Sequence, residues 1–150
     1  MRRTLVLQSN VRQSAIINSY ISLFQFVSFT YNMSQPIYTW YKIAESVNEL
    51  HFSSNNLLVT TVNQKKITIA KGKEKLFACA YACPHAGGIL ADGHLDAIDN
   101  VVCPLHHYRF NMNNGRNTSG EGYFLKTYEV TVRDDGVYVK MEERKLFGFL

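Results

Sequence analysis

Downstream of Pro36 the chain is written in short apolar runs separated by polar turns. Ile37-Tyr38-Thr39-Trp40-Tyr41-Lys42-Ile43 is rich in β-branched and aromatic residues and predicts a strand. Leu57–Val62, the polar stretch Asn63–Lys66 and Ile67–Ala70 read as a hairpin. Leu76–Ala82 predicts another strand, and Val101-Val102 a short one. Tyr108–Met112 alternates and stops at the turn tripeptide Asn113-Asn114-Gly115. Near the end Phe124, Tyr128, Val130 and Val132 are expected on one face. After Asp135-Gly136, the residues Val137, Val139 and Met141 continue the period of two. No window beyond residue 36 holds a 3.6-residue period over three turns. The predicted class is all-β, with short strands in a meander or small barrel.

Residues 1–35 follow a different pattern. Arg2 and Arg3 precede a mixed stretch, Ala15–Tyr31, and the first acid is Glu45. A signal peptide would need a clean apolar core and a small-residue cleavage site; a transit peptide needs only Arg and Ser without acids. A membrane anchor is interrupted by Asn18, Ser19, Ser22, Gln25 and Ser28. No targeting pattern is complete, so 1–35 is expected to be an extension outside the fold. The domain is expected over 36–141, with a tail over 142–150.

Charge changes the picture little. The net charge of +4 invites a nucleic-acid reading. Residues 1–32 carry three Arg and no acid, and the remainder has 13 basic and 12 acidic residues. That leaves a nearly neutral domain without the basic footprint a polyanion requires. Lys65, Lys66, Lys71, Lys73 and Lys75 read as a solvated hairpin face. Cys79 lies about 13 Å from Cys83 along an extended strand, too far for a disulfide. A small buried hydrophobe is its expected role. Free thiols suit a reducing compartment, and the expected location is the cytoplasm.

The chemistry is concentrated in two pieces, Cys83-Pro84-His85-Ala86-Gly87-Gly88 and Cys103-Pro104-Leu105-His106-His107-Tyr108. Thiolates suit iron–sulfur clusters and zinc, and imidazole suits iron or zinc. Each piece supplies one ligand of each type, so the loops must meet to close a site. A structural zinc domain usually groups its ligands as paired Cys and paired His, an arrangement this alternation disfavours. Pro84 and Pro104 stiffen the loops, and turn N–H groups are the expected donors to sulfur.

The C-x-H and C-x-x-H pattern of these pieces resembles the Rieske family. Gly115-Arg116, Gly120-Glu121-Gly122, Leu125–Tyr128 and the Asp135-Gly136 hairpin are similar to small Rieske ferredoxins and the nitrite reductase small subunit. The resemblance spans about residues 36–141, with the cluster-binding part near 80–112. It implies a fold of small antiparallel sheets with a cluster-binding loop subdomain. It also implies one [2Fe–2S] cluster per chain, held by Cys83, His85, Cys103 and His106. The pattern gives the second histidine role to His106 rather than His107. The family's respiratory members carry a disulfide at the positions of Gly88 and Leu105, which is impossible here. They also place hydroxyls where Tyr108 and Phe110 stand. Fewer hydrogen bonds to sulfur imply a potential near roughly −150 mV, the low end of the range.

The implied function is one-electron transfer between a reductase and a terminal oxygenase or similar oxidoreductase. The alternatives are a small subunit of a nitrite-reductase-like enzyme and a zinc domain. A complete oxygenase needs a further iron site with two histidines. Beyond His106 only His107 remains. Partners are therefore redox proteins, with no nucleic acid and no membrane expected. Pro84, Leu105 and Leu90 are expected to surround an exposed tip. His51 and His94 read as surface histidines, and Asp96 and Asp99 as a hairpin tip.

Overall fold

The computed structural model describes residues 36–143; the expectations for 1–35 and 144–150 lie outside the described residues. Ten strands follow one another: β1 (Tyr38–Ala44), β2 (Leu57–Val62), β3 (Lys65–Lys71), β4 (Leu76–Ala80), β5 (His94–Leu95), β6 (Asn100–Val102), β7 (Arg109–Asn111), β8 (Thr127–Tyr128), β9 (Val130–Arg133) and β10 (Gly136–Glu142). Two single-turn 3₁₀ helices, Val47–Glu49 and Leu90–Asp92, are the only helices among the described residues. The all-β expectation holds.

The strands form three antiparallel sheets, ordered β1-β10-β9, β2-β3-β4-β8 and β5-β6-β7. The β2–β3 hairpin is tighter than the sequence suggests. Val62 pairs with Lys65, so the loop is the two residues Asn63 and Gln64. Both have positive φ, 46° and 62°, as a right-twisting two-residue hairpin loop requires.

Alternation along β3 and β4 divides the molecule. Ile67, Ile69 and Ala78 face one side and form a core with Val62, Val139 and Met141. Ala70, Phe77 and Cys79 face the other side and join Leu57, Leu90, Val101, Phe110, Met112 and Leu125. The four-stranded sheet is thus a wall shared by two cores. The second core lies under the β5-β6-β7 subdomain and includes the thiols of Cys83 and Cys103.

The period-two reading of Val137, Val139 and Met141 is borne out, since all three are buried. The reading of Phe124 through Val132 as one face is not. Tyr128 sits in β8 and pairs with β4, whereas Val130 begins β9 and pairs with β10. The chain changes sheets at Glu129. Phe124 lies outside any strand and is 62% exposed, and Val132 is 56% exposed.

Candidate metal centre

Both ligand-bearing pieces are six-residue loops closed by an antiparallel pair. Residues 83–88 lie between the bridged residues Ala82 and Ile89, and residues 103–108 between Val102 and Arg109. The internal hydrogen bonds repeat. The Cys83 N–H donates to the Gly88 carbonyl (2.8 Å) and the Gly87 N–H to the Cys83 carbonyl (2.9 Å). In the second loop the Cys103 N–H donates to the Tyr108 carbonyl (2.9 Å) and the His107 N–H to the Cys103 carbonyl (3.0 Å). Each loop therefore starts with Cys-Pro and needs a left-handed residue at its fifth position. Gly87 fills that place with φ 73°, and His107 with φ 59°.

This equivalence explains His107. It occupies the turn-closing position of its loop, the place glycine holds in the other. The histidines that face each other are His85, third in its loop, and His106, fourth in its loop. Their ring centroids are 4.7 Å apart at an interplanar angle of 70°. His85 is half-buried, and His106 is exposed.

The thiols lie on the inner side. Cys83 and Cys103 are 4% and 1% exposed and neither is in a disulfide. Burial, the largest influence, pushes the Cys83 thiol up, and the Cys103 thiol beside it adds to this. Backbone N–H groups of His85 and Ala86 act in the opposite sense on the same sulfur, as donors that favour its charged form. The loops also interlock. A Cβ at Gly88 would stand 3.0 Å from Cys103 Sγ and 3.2 Å from Leu105 Cβ. Glycine thus permits a close approach that a larger residue would crowd. The positions 88 and 105 adjoin in space, and with Gly and Leu there no bridge forms.

Two features show that the residues fit a two-iron group. His85 Nδ1 is buried and has no hydrogen-bond partner among the described residues. An orphaned imidazole nitrogen is costly unless something else takes its lone pair. Moreover, the Cys83 and Cys103 thiols are neighbours, and so are the His85 and His106 rings. Two buried thiols and two facing imidazoles, in separate pairs, suit a pair of irons better than a single ion.

A third segment borders the site through Tyr123, a residue the sequence reading did not single out. The Tyr123 ring lies 5.0 Å from that of His85, and the Tyr108 ring 4.7 Å from it. Burial, then the nearby Glu121, Tyr123 and Cys83, push the Tyr108 hydroxyl up. The glycines flanking Glu121 mark this loop in the sequence, yet nothing there shows where it folds. Leu90 is fully buried in the core beneath, so it does not belong to the exposed tip; Pro84 and Leu105 do. His51 and His94 are exposed. Asp96 organises the β5–β6 turn, accepting from the N–H groups of Ile98 and Asn100 (both 3.0 Å) and from Asn100 Nδ2 (2.9 Å).

The Rieske [2Fe-2S] domain model matches residues 39–129. The chain belongs to the Rieske [2Fe–2S] domain family. The family implies one Rieske-type [2Fe–2S] cluster per chain, which the two loops fit. A curated relative is the 3-phenylpropionate/cinnamic acid dioxygenase ferredoxin subunit of Photorhabdus laumondii. It is 31% identical over 72 residues, covering 47% of this chain and 69% of the relative. The ferredoxin component of the naphthalene 1,2-dioxygenase system of Pseudomonas aeruginosa is 25% identical over 101 residues, 67% of this chain and 96% of its own. Among solved structures, the ferredoxin of carbazole 1,9a-dioxygenase from Nocardioides aromaticivorans shares the fold. Its TM-score is 0.57 at 22% identity, with 71% of this chain and 97% of that one covered. Among the described residues no helix is long and apolar enough to cross a membrane.

Proposed function

We propose that this chain is a one-electron carrier that passes electrons between a reductase and a terminal oxygenase. Its cluster would be held by Cys83 and Cys103 on one iron and His85 and His106 on the other. The observation that carries this reading is the meeting of the two equivalent loops, with both thiols buried inward and the unpartnered Nδ1 of His85 beside them. When bound, a cluster with two thiolate and two imidazole ligands takes up and returns a single electron.

The chain's own residues supply the setting. The core around Cys83 and Cys103 keeps water from the sulfurs. The N–H groups of His85 and Ala86 favour negative charge on the Cys83 sulfur. His106, Pro84 and Leu105 are exposed, which suits a short path to a partner and a small transient contact. Neither loop contains Asp, Glu, Lys or Arg. The oxygenase as acceptor is supported by the two curated relatives, which are ferredoxin components of dioxygenase systems. A cytoplasmic location is supported by the free thiols of Cys79, Cys83 and Cys103.

Electron paramagnetic resonance of the dithionite-reduced protein tests the ligand set. His106→Ala is expected to abolish a Rieske signal and His107→Ala to keep it; the reverse overturns the assignment. A redox titration is expected near roughly −150 mV, and a value above zero contradicts it. A colourless protein with one zinc per chain would replace the reading with a structural role. Isolation of the chain only within a larger reductase would favour the subunit alternative.

A further inference from the structure

The two histidines of the site stand in unequal surroundings. His106 is exposed and is 6.4 Å from the Tyr108 ring. His85 is half-buried, and three rings approach it, those of His106, Tyr108 and Tyr123, at 4.7, 4.7 and 5.0 Å. Tyr108 and Tyr123 are themselves 5.8 Å apart and 32° from parallel, so they form one continuous wall. Contacts at 4.5–7 Å between centroids are the favourable range for aromatic pairs.

We infer that Tyr123 is a positioning residue for His85: with Tyr108 it closes an aromatic wall over that imidazole, fixes the direction of its buried Nδ1 and leaves His106 as the open histidine. This rests on the cluster reading above.

The rest of the loop supports an anchored role for this ring. Leu125, two residues on, is fully buried, and its N–H donates to the Gly115 carbonyl (2.9 Å). On the other side, the Ser119 hydroxyl accepts from the Arg109 N–H (2.9 Å), tying the loop to β7. Between these ties Gly120 and Gly122 meet nothing within 4 Å of a would-be Cβ. The loop is therefore pinned at both ends and unencumbered in its middle, and Tyr123 is the side chain it brings to the site. Tyr123 remains 38% exposed, so its placement is not explained by burial in the core.

Tyr123→Ala and Tyr123→Phe in the cluster-loaded protein test this. A ring contact of this kind corresponds to roughly a two- to tenfold change in an equilibrium or rate. Tyr123→Ala is expected to shift the g-values of the reduced protein and to speed loss of visible absorbance in air by that factor. Tyr123→Phe is expected to restore both. If Tyr123→Ala leaves both unchanged, or Tyr123→Phe behaves as Tyr123→Ala does, the ring has no positioning role. Tyr123→Leu, which keeps apolar bulk, serves as a second variant should Tyr123→Ala not fold; an unshifted signal in it overturns the inference equally. Absence of a Rieske signal from the unsubstituted protein would instead refute the cluster reading itself.

Discussion

At the scale of the residue, the clearest contrast is between His106 and His107. They are adjacent and chemically identical, yet one faces His85 and the other closes a turn with φ 59°. A left-handed conformation costs a non-glycine residue about 1–2 kcal/mol, and glycine's greater freedom in the unfolded chain offsets about 0.5–1 of that. His107→Gly is accordingly expected to raise stability by about 0.5–1 kcal/mol in thermal unfolding, with the spectrum of the reduced protein unchanged. The ligand candidates were legible in the sequence because Cys and His declare their chemistry by type and spacing. Tyr123 was not. Its residue type is as common in strands as in sites, and its approach to His85 depends on a loop returning from 38 residues downstream.

At the scale of the element, turns are held by side chains as much as by strand pairing. Asp96 is the case with a pH signature. Burial raises its carboxyl, but the hydrogen bonds from the Asn100 N–H, the Asn100 side chain and the Ile98 N–H outweigh this, with help from Arg109 at 3.8 Å. The net effect holds the group below the usual carboxylate range. Its contribution is thus complete above the unfolded value near pH 4 and lost as pH falls through the lower folded value. Asp96→Asn is expected to cost about 1–3 kcal/mol at pH 7, and the difference from the unsubstituted protein should narrow below about pH 4. Urea unfolding at pH 7 and pH 3 measures both. Hairpins were legible wherever a turn signal and a period of two coincided, as along Val137–Met141; the β2–β3 hairpin was legible too, but its turn was read as 63–66 where the loop is only Asn63-Gln64. The change of sheet at Glu129 was not, because Tyr128 and Val130 have strand character on either side of it. Which partner each takes, β4 or β10, is decided by strands some 50 residues back or a few residues ahead.

At the scale of the whole molecule, the all-β class followed from pattern alone. The layered arrangement did not follow, since alternation in β3 and β4 is masked when both faces are buried. Cys79 sits in the middle of that wall, and burial pushes its thiol up to about 12. Its raised folded value means the neutral thiol is favoured, with stability lost as pH rises above the unfolded value near 8.5. Iodoacetamide at pH 8 is expected to leave Cys79 unmodified in the native protein and to modify it in urea, which peptide mass mapping would show.

The shared wall also separates the packing beneath the two loops from the packing behind them. Ile67, Ile69, Val139 and Met141 are packed on the face away from the thiols, while Leu90, Val101 and Phe110 lie on the near face. The two cores are therefore expected to differ in how far they depend on iron. In amide hydrogen exchange after cluster removal, segments 81–125 are expected to lose protection first, with β3 and β10 still slow; uniform loss across both would show a single unit. Slow exchange confined to β3 and β10 would mean that a chain built this way can hold one face of its sheet ready before any iron arrives.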